Sequence, residues 1–174
     1  MQLFAEVMCI TNERGVNMQE KEIETKIIKY SNMIYKLCVS ILKNKDDSED
    51  VYQDVIIKFC KKIDEFENEE HEKAWLIRVT INQCKNVIRT SWFKNRSELD
   101  ENIAYFDKEE DSVYYEVSKL PTKYRAVIHL FYYEDYKISE ICKILGQKES
   151  TVKSQLRRAR HLLEKKIKGG MDGE

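Results

Sequence analysis

The 174-residue chain carries 31 acidic and 30 basic side chains, a net charge of −1, with one proline and five glycines. So few turn-forming residues exclude a β-rich fold, and the abundance of Glu, Lys, Ile and Leu predicts an all-α protein of one domain or two small ones. Cys9, Cys38, Cys60, Cys84 and Cys142 are odd in number, widely spaced and without a C-x-x-C pair, and His71, His129 and His161 stand apart. That pattern argues against a disulfide framework, a zinc cluster and a Cys–His pair.

Residues 1–17 show no sustained helical period and no cap. Glu13-Arg14-Gly15 can be encoded by a purine-rich stretch two codons before Met18, where a ribosome-binding sequence would lie. Translation from Met18 and a disordered tail are the two readings of this leader. It has no basic region followed by an apolar stretch, and no run of 18 apolar residues occurs anywhere, so the expectation is a cytoplasmic protein.

From Glu20 to Lys43, Ile27, Tyr30, Ile34, Leu37 and Ile41 make a helical stripe. Asn44 and Lys45 break it, and Asp46 to Ser48 supply N-cap chemistry for a second helix over Glu49–Ile63. That helix buries Val51 or Tyr52, Val55, Ile56 and Phe59, and its acidic first turn suits the positive end of the helix dipole. A polar loop is expected over Asp64–Lys73. A third helix follows from Ala74 to Thr90, with Trp75, Arg78, Ile81, Lys85 and Ile88 at helical intervals. Three such helices close a small bundle, the domain of residues 18–96. Residues 97–112 are acidic, weakly periodic and longer than an ordinary connection, so they form a linker.

Residues 113–170 form the second domain, with 171–174 as a tail. Pro121 sits at a first helical position, and Leu120, Tyr124, Val127, Ile128 and Phe131 line that helix. In the next segment Ile138, Ile141, Cys142 and Leu145 share one stripe, and Gly146 suits a helix C-cap. Ser150 or Thr151 then caps a helix whose apolar face is Val152, Leu156, Ala159 and Leu163. Its opposite face carries Ser150, Lys153, Ser154, Arg157, Arg158, His161 and Lys165. This is the pattern of a helix-turn-helix whose second helix meets DNA. The plainer alternative is a solvated amphipathic helix.

The charge is sorted along the chain. Asp46–Glu70 holds ten acids and three bases, and Lys73–Arg96 six bases and no acid. Glu98–Glu116 has Lys108 as its one base, and Lys119–Lys168 has thirteen bases and five acids. Basic blocks suit nucleic acid, and acidic ones suit a basic protein surface.

Two blocks carry a family resemblance. DDSEDVYQDVIIKFCKKIDEFENEEHEKAWLIRVTINQCKNVIR resembles sigma region 2, and SKLPTKYRAVIHLFYYEDYKISEICKILGQKESTVKSQLRRAR resembles region 4. Leu120-Pro121 and Thr151-Val152-Lys153-Ser154 are the strongest markers. With regions 1 and 3 missing, residues 20–168 are similar to the extracytoplasmic-function group of bacterial sigma factors, the promoter-specificity subunits of RNA polymerase.

The resemblance implies roles. Asp47, Glu49, Asp50, Gln53 and Asp54 would dock on the polymerase β′ clamp helices, and the β flap would be a further polymerase contact. Arg78, Lys85 and Arg89 would hold phosphates of the −10 element, while Asn82 and Asn86 meet unpaired bases. The loop Phe66–Lys73 would capture a flipped base. Trp75 is a stacking platform or, as its phase favours, a core residue; Trp92 and Phe93 would touch DNA or the bundle end. Ser150, Thr151, Lys153, Ser154, Arg157 and Arg158 would enter the −35 major groove. Gln155 stands where the family often has Arg, leaving one phosphate contact open, and Gln147 where it often has an apolar residue. Arg160 is spaced to pair with Glu164. The acidic linker would thread polymerase channels, and an anti-sigma factor would be a further partner. With no acid/base pair, metal cluster or phosphate-cradling Gly loop, the expectation is a non-enzymatic factor without cofactor or small-molecule substrate. The rival is a stand-alone helix-turn-helix regulator.

Overall fold

In the computed structural model, which describes residues 20–94 and 116–169, every regular element is helical. These residues divide into two compact units, 20–38 with 45–94 and 39–44 with 116–169. The leader with Met18, Cys9, the linker of residues 97–112 and residues 171–174 lie outside the described residues. So do the side chains of Trp92 and Phe93.

The first unit is built from α1 (Glu20–Leu42) as far as Cys38, α2 (Lys45–Cys60), a single turn at Ile63–Glu65, and α3 (Glu69–Lys94); the last turn of α1 groups with the second unit, not with the domain of residues 18–96 expected from the sequence. The expected stripe of α1 is buried at Tyr30, Ile34 and Leu37, joined by Ile23 and Cys38. Lys43 takes a left-handed backbone (φ 61°) and ends α1 abruptly. With only two residues between helices, α2 begins at Lys45 rather than Glu49. Asp46 and Asp47 therefore lie within its first turn instead of capping it, still complementing the dipole. Val51, Val55, Ile56, Phe59 and Cys60 are buried, while Tyr52 is half-buried and shares a 2.8 Å hydrogen bond with Ser31.

The expected loop over Asp64–Lys73 is mostly helix, because α3 starts at Glu69 rather than Ala74. Asn68 caps it: its Oδ1 accepts the His71 N–H at 2.8 Å and its carbonyl the Glu72 N–H at 3.1 Å. Glu72 is buried and accepts from Lys26 Nζ at 2.6 Å and from Tyr30 Oη at 2.9 Å, tying α3 to α1. A carboxylate so placed needs both donors, since a buried unpaired charge would cost several kcal/mol. The apolar face of α3 also differs from the expected stripe. Leu76, Ile77, Ile81 and Cys84 are buried, and Trp75 is only half-buried. Trp75 instead packs on Phe66 (ring centroids 5.3 Å apart), which stacks on Phe59 at 5.8 Å.

The second unit holds α4 (Thr122–Ile128), a wider helical turn (His129–Tyr133), α5 (Ile138–Leu145) and α6 (Glu149–Gly169). Pro121 is the N-cap of α4, one position before the expected one, and its carbonyl accepts the Tyr124 N–H at 2.8 Å. The turn after α4 closes with an i→i+5 bond, Glu134 N–H to His129 O at 3.2 Å. Glu140 accepts the Lys137 N–H at 2.7 Å at the start of α5. Ile141 and Ile144 are the buried residues of α5; Ile138, Cys142 and Leu145 are half-buried. Gly146 adopts φ 63°, the left-handed cap its position predicts. The Lys148 carbonyl accepts the Thr151 and Val152 N–H groups, so α6 begins at Glu149 and neither Ser150 nor Thr151 is its cap. Both hydroxyls are exposed within the first turn. Val152, Leu156 and Ala159 are buried as expected, and Leu163 is half-buried. Among the described residues no helix is long and apolar enough to cross a membrane.

Candidate nucleic-acid interface

Burial of Val152, Leu156 and Ala159 fixes the rotation of α6. At about 100° per residue, Ser150, Ser154, Arg157 and His161 fall opposite that face. Ser150, Thr151, Lys153, Arg157 and Arg158 are exposed, and Ser154 is half-buried. The six expected contacts are therefore brought together on one accessible side, with unequal freedom. Lys153 Nζ lies 2.5 Å from Glu149, whose hydrogen bond and charge hold the ammonium above its ordinary pKa. Arg157 and Arg158 form no ion pair among the described residues. Arg160, spaced to meet Glu164, donates Nε to Tyr132 Oη at 2.7 Å and lies over the rings of Phe131 and Tyr132. The Oε1 atoms of Gln147 and Gln155 are buried without a hydrogen-bond partner among the described residues.

On α3, Arg78, Asn82, Lys85, Asn86 and Arg89 are all exposed. They recur at helical spacing on the side away from Leu76, Ile77 and Ile81. The stripe covers eleven residue steps, roughly 16 Å of helix. Phe66, His71 and Trp75 cluster at its N-terminal end, with Phe66 edge-on to His71 at 5.6 Å.

On α2, Asp50, Gln53 and Asp54 are exposed, and Asp47 and Glu49 are half-buried. Glu49 lies 3.8 Å from Lys45, and Asp54 accepts a long bond from Gln83 at 3.4 Å. Partial burial, then the charges of Asp50 and Asp46, raise the Asp47 carboxyl above its ordinary pKa. This face is short of cations and would be relieved by a basic surface.

Three of the thiols among the described residues belong to the core of the first unit. Cys38, Cys60 and Cys84 are buried, and burial pushes the Cys60 thiol up to about 11. A hydrogen bond with Cys84, together with burial, raises Cys38.

The sigma-70 region 2 family matches residues 27–94 and the sigma-70 region 4 family residues 111–163. The RNA polymerase sigma factor SigV of Bacillus subtilis (strain 168) is 30% identical over 145 residues, 80% of this chain and 87% of that protein. The ECF RNA polymerase sigma factor SigW of the same strain is 30% identical over 161 residues, 80% of this chain and 85% of that protein. The chain belongs to the extracytoplasmic-function group of RNA polymerase sigma factors. Its fold agrees with two solved structures. The sigma factor RpoE in complex with the anti-sigma factor NepR, from Bartonella quintana, matches at TM-score 0.69 and 22% identity over 85% of this chain and 98% of that one. CnrH in complex with the cytosolic domain of CnrY matches at TM-score 0.60 and 16% identity over 95% and 97%.

Three residues of this sigma factor were not legible as special. Glu72 reads as one more acid in a polar stretch. Arg125 is buried, with its guanidinium donating to Ser118 O at 3.3 Å and Thr122 Oγ1 at 2.7 Å, although its charge predicts exposure. Lys123 lines a groove with α6. Only its offset of one residue from the buried Tyr124 hints that it points outward.

Proposed function

We propose that this sigma factor docks on core RNA polymerase through α2 and reads a promoter with two cationic helical faces. Asp50, Gln53 and Asp54, flanked by Asp47 and Glu49, meet the basic β′ clamp helices, while the second unit meets the β flap. Arg78, Lys85 and Arg89 hold phosphates of the opened −10 element, and Asn82 and Asn86 offer amides to its unpaired bases. Ser150, Thr151, Lys153, Ser154, Arg157 and Arg158 meet the −35 duplex, where Arg157 reads guanine and the others position the backbone. The supporting observation is that α3 and α6 each bury one face and expose a polar, cationic stripe on the other. The protein works in the cytoplasm, where polymerase is, and polymerase performs the chemistry. Two structural neighbours are each in complex with another protein, in one case an anti-sigma factor, and an anti-sigma factor is the corresponding partner here.

Reconstituted run-off transcription tests this. Added to core enzyme, the protein is expected to start transcripts at promoters of its own genome. Failure at every promoter defeats the reading. A gel shift without core enzyme separates the rival: tight, specific duplex binding by the free protein would favour a stand-alone regulator.

A further inference from the structure

A groove lies between α4 and α6. It encloses about 350 Å³ and is walled by Lys123 and Tyr124 from α4 and by Ser150, Thr151, Ser154 and Arg158 from α6. Two cations and three aliphatic hydroxyls therefore converge, and no carboxylate lines it. Lys123 is exposed, its Nζ 5.1 Å from the Tyr124 ring centroid. Neither Lys123 nor Arg158 is held in an ion pair among the described residues, unlike Lys153. Gln155 lies on the same α6 wall and brings no charge, so the groove's second cation comes from α4.

The phase of α6 says what passes this groove. Ser150, Ser154 and Arg157 centre the outward face, whereas Thr151, Gln155 and Arg158 lie on the shoulder toward α4. A helix in a major groove about 12 Å wide presents its centre to base edges and its shoulders to the flanking sugar-phosphate strands. We infer that the α4–α6 groove seats a DNA backbone phosphate, with Lys123 and Arg158 as its two cations and Thr151 and Ser154 as hydroxyl donors. Lys123 is thus a DNA contact outside the recognition helix, and it occupies the role that a cation at position 155 would have filled. The groove has the donors to hold a phosphodiester oxyanion and nothing that distinguishes one base from another.

The inference rests on the −35 reading of α6, and its test separates the two. Holoenzyme assembled from the full chain is bound to promoter duplex at salt concentrations from about 50 to 200 mM. Each phosphate contact contributes about 0.9 to the slope of log affinity against log salt, equivalent to about 3.5-fold across that range. Lys123→Ala is expected to lower affinity at low salt and flatten the slope by about 0.9, equally on promoters with altered −35 sequence. Lys123→Arg should keep the wild-type slope, and the exposed position predicts an unchanged thermal melt for both variants. Wild-type affinity and slope in Lys123→Ala would overturn the phosphate seat while leaving the −35 reading intact. A loss confined to one −35 sequence would also overturn it, by making Lys123 a base reader. If unsubstituted holoenzyme binds promoters without regard to the −35 sequence, the reading of α6 falls and this inference with it.

Discussion

Lys153 and Arg157 stand one helical turn apart on α6 and look equivalent in the sequence. In the structure Lys153 is paired with Glu149, so its contact with a phosphate would require exchanging one anion for another. Arg157 is exposed near the centre of the outward face and has no such competitor among the described residues. Arg157→Ala is therefore expected to weaken −35-dependent run-off transcription by about 5- to 150-fold, the equivalent of 1–3 kcal/mol for a good base contact. Core binding in a pull-down should be unchanged, and unaltered promoter activity would refute the assignment. Glu72 makes the opposite point: an acid among acids in the sequence, it becomes a buried link between Lys26 and Tyr30. Charge reads from one residue; pairing depends on another far along the chain.

Element identity followed from periodicity, and element boundaries did not. The rotations of α1 and α6 were legible because their apolar residues recur at helical spacing and little else competes. The start of α3 was not, because Glu69 to Lys73 has no apolar period. Asn68 capping and the Glu72 contacts make that stretch helical. The face of α3 was misplaced because Trp75 suggested a phase that Leu76 and Ile77, packing against the other helices, override. Gly146 was legible, since a glycine after an apolar stripe signals a left-handed cap. A Cβ there would meet nothing within 4 Å, so a substitution costs only backbone strain. Gly146→Ala is expected to destabilise the second unit by about 1–2 kcal/mol. Urea unfolding should show a lower midpoint with an unchanged slope; an unchanged midpoint would mean that the turn relaxes elsewhere.

Across the described residues, the exposed faces of α2, α3 and α6 differ in charge. The acidic face of α2 and the cationic stripes of α3 and α6 suit partners of opposite sign. Reversing Asp50 and Asp54 to Lys should weaken capture by core enzyme roughly ten-fold or more, since like charge would meet the clamp surface. Both side chains are exposed, so circular dichroism should be unchanged; undiminished capture would place the docking face elsewhere. The sequence by itself determined the helical class, the helix-turn-helix and the sigma-factor family, because local period, cap chemistry and motif order carry those. Only the tertiary structure decided that Glu72 is a core residue and that Lys123 shares a groove with Arg158. Those facts depend on which distant helices come together, and neither hydrophobic period nor charge encodes a meeting between them.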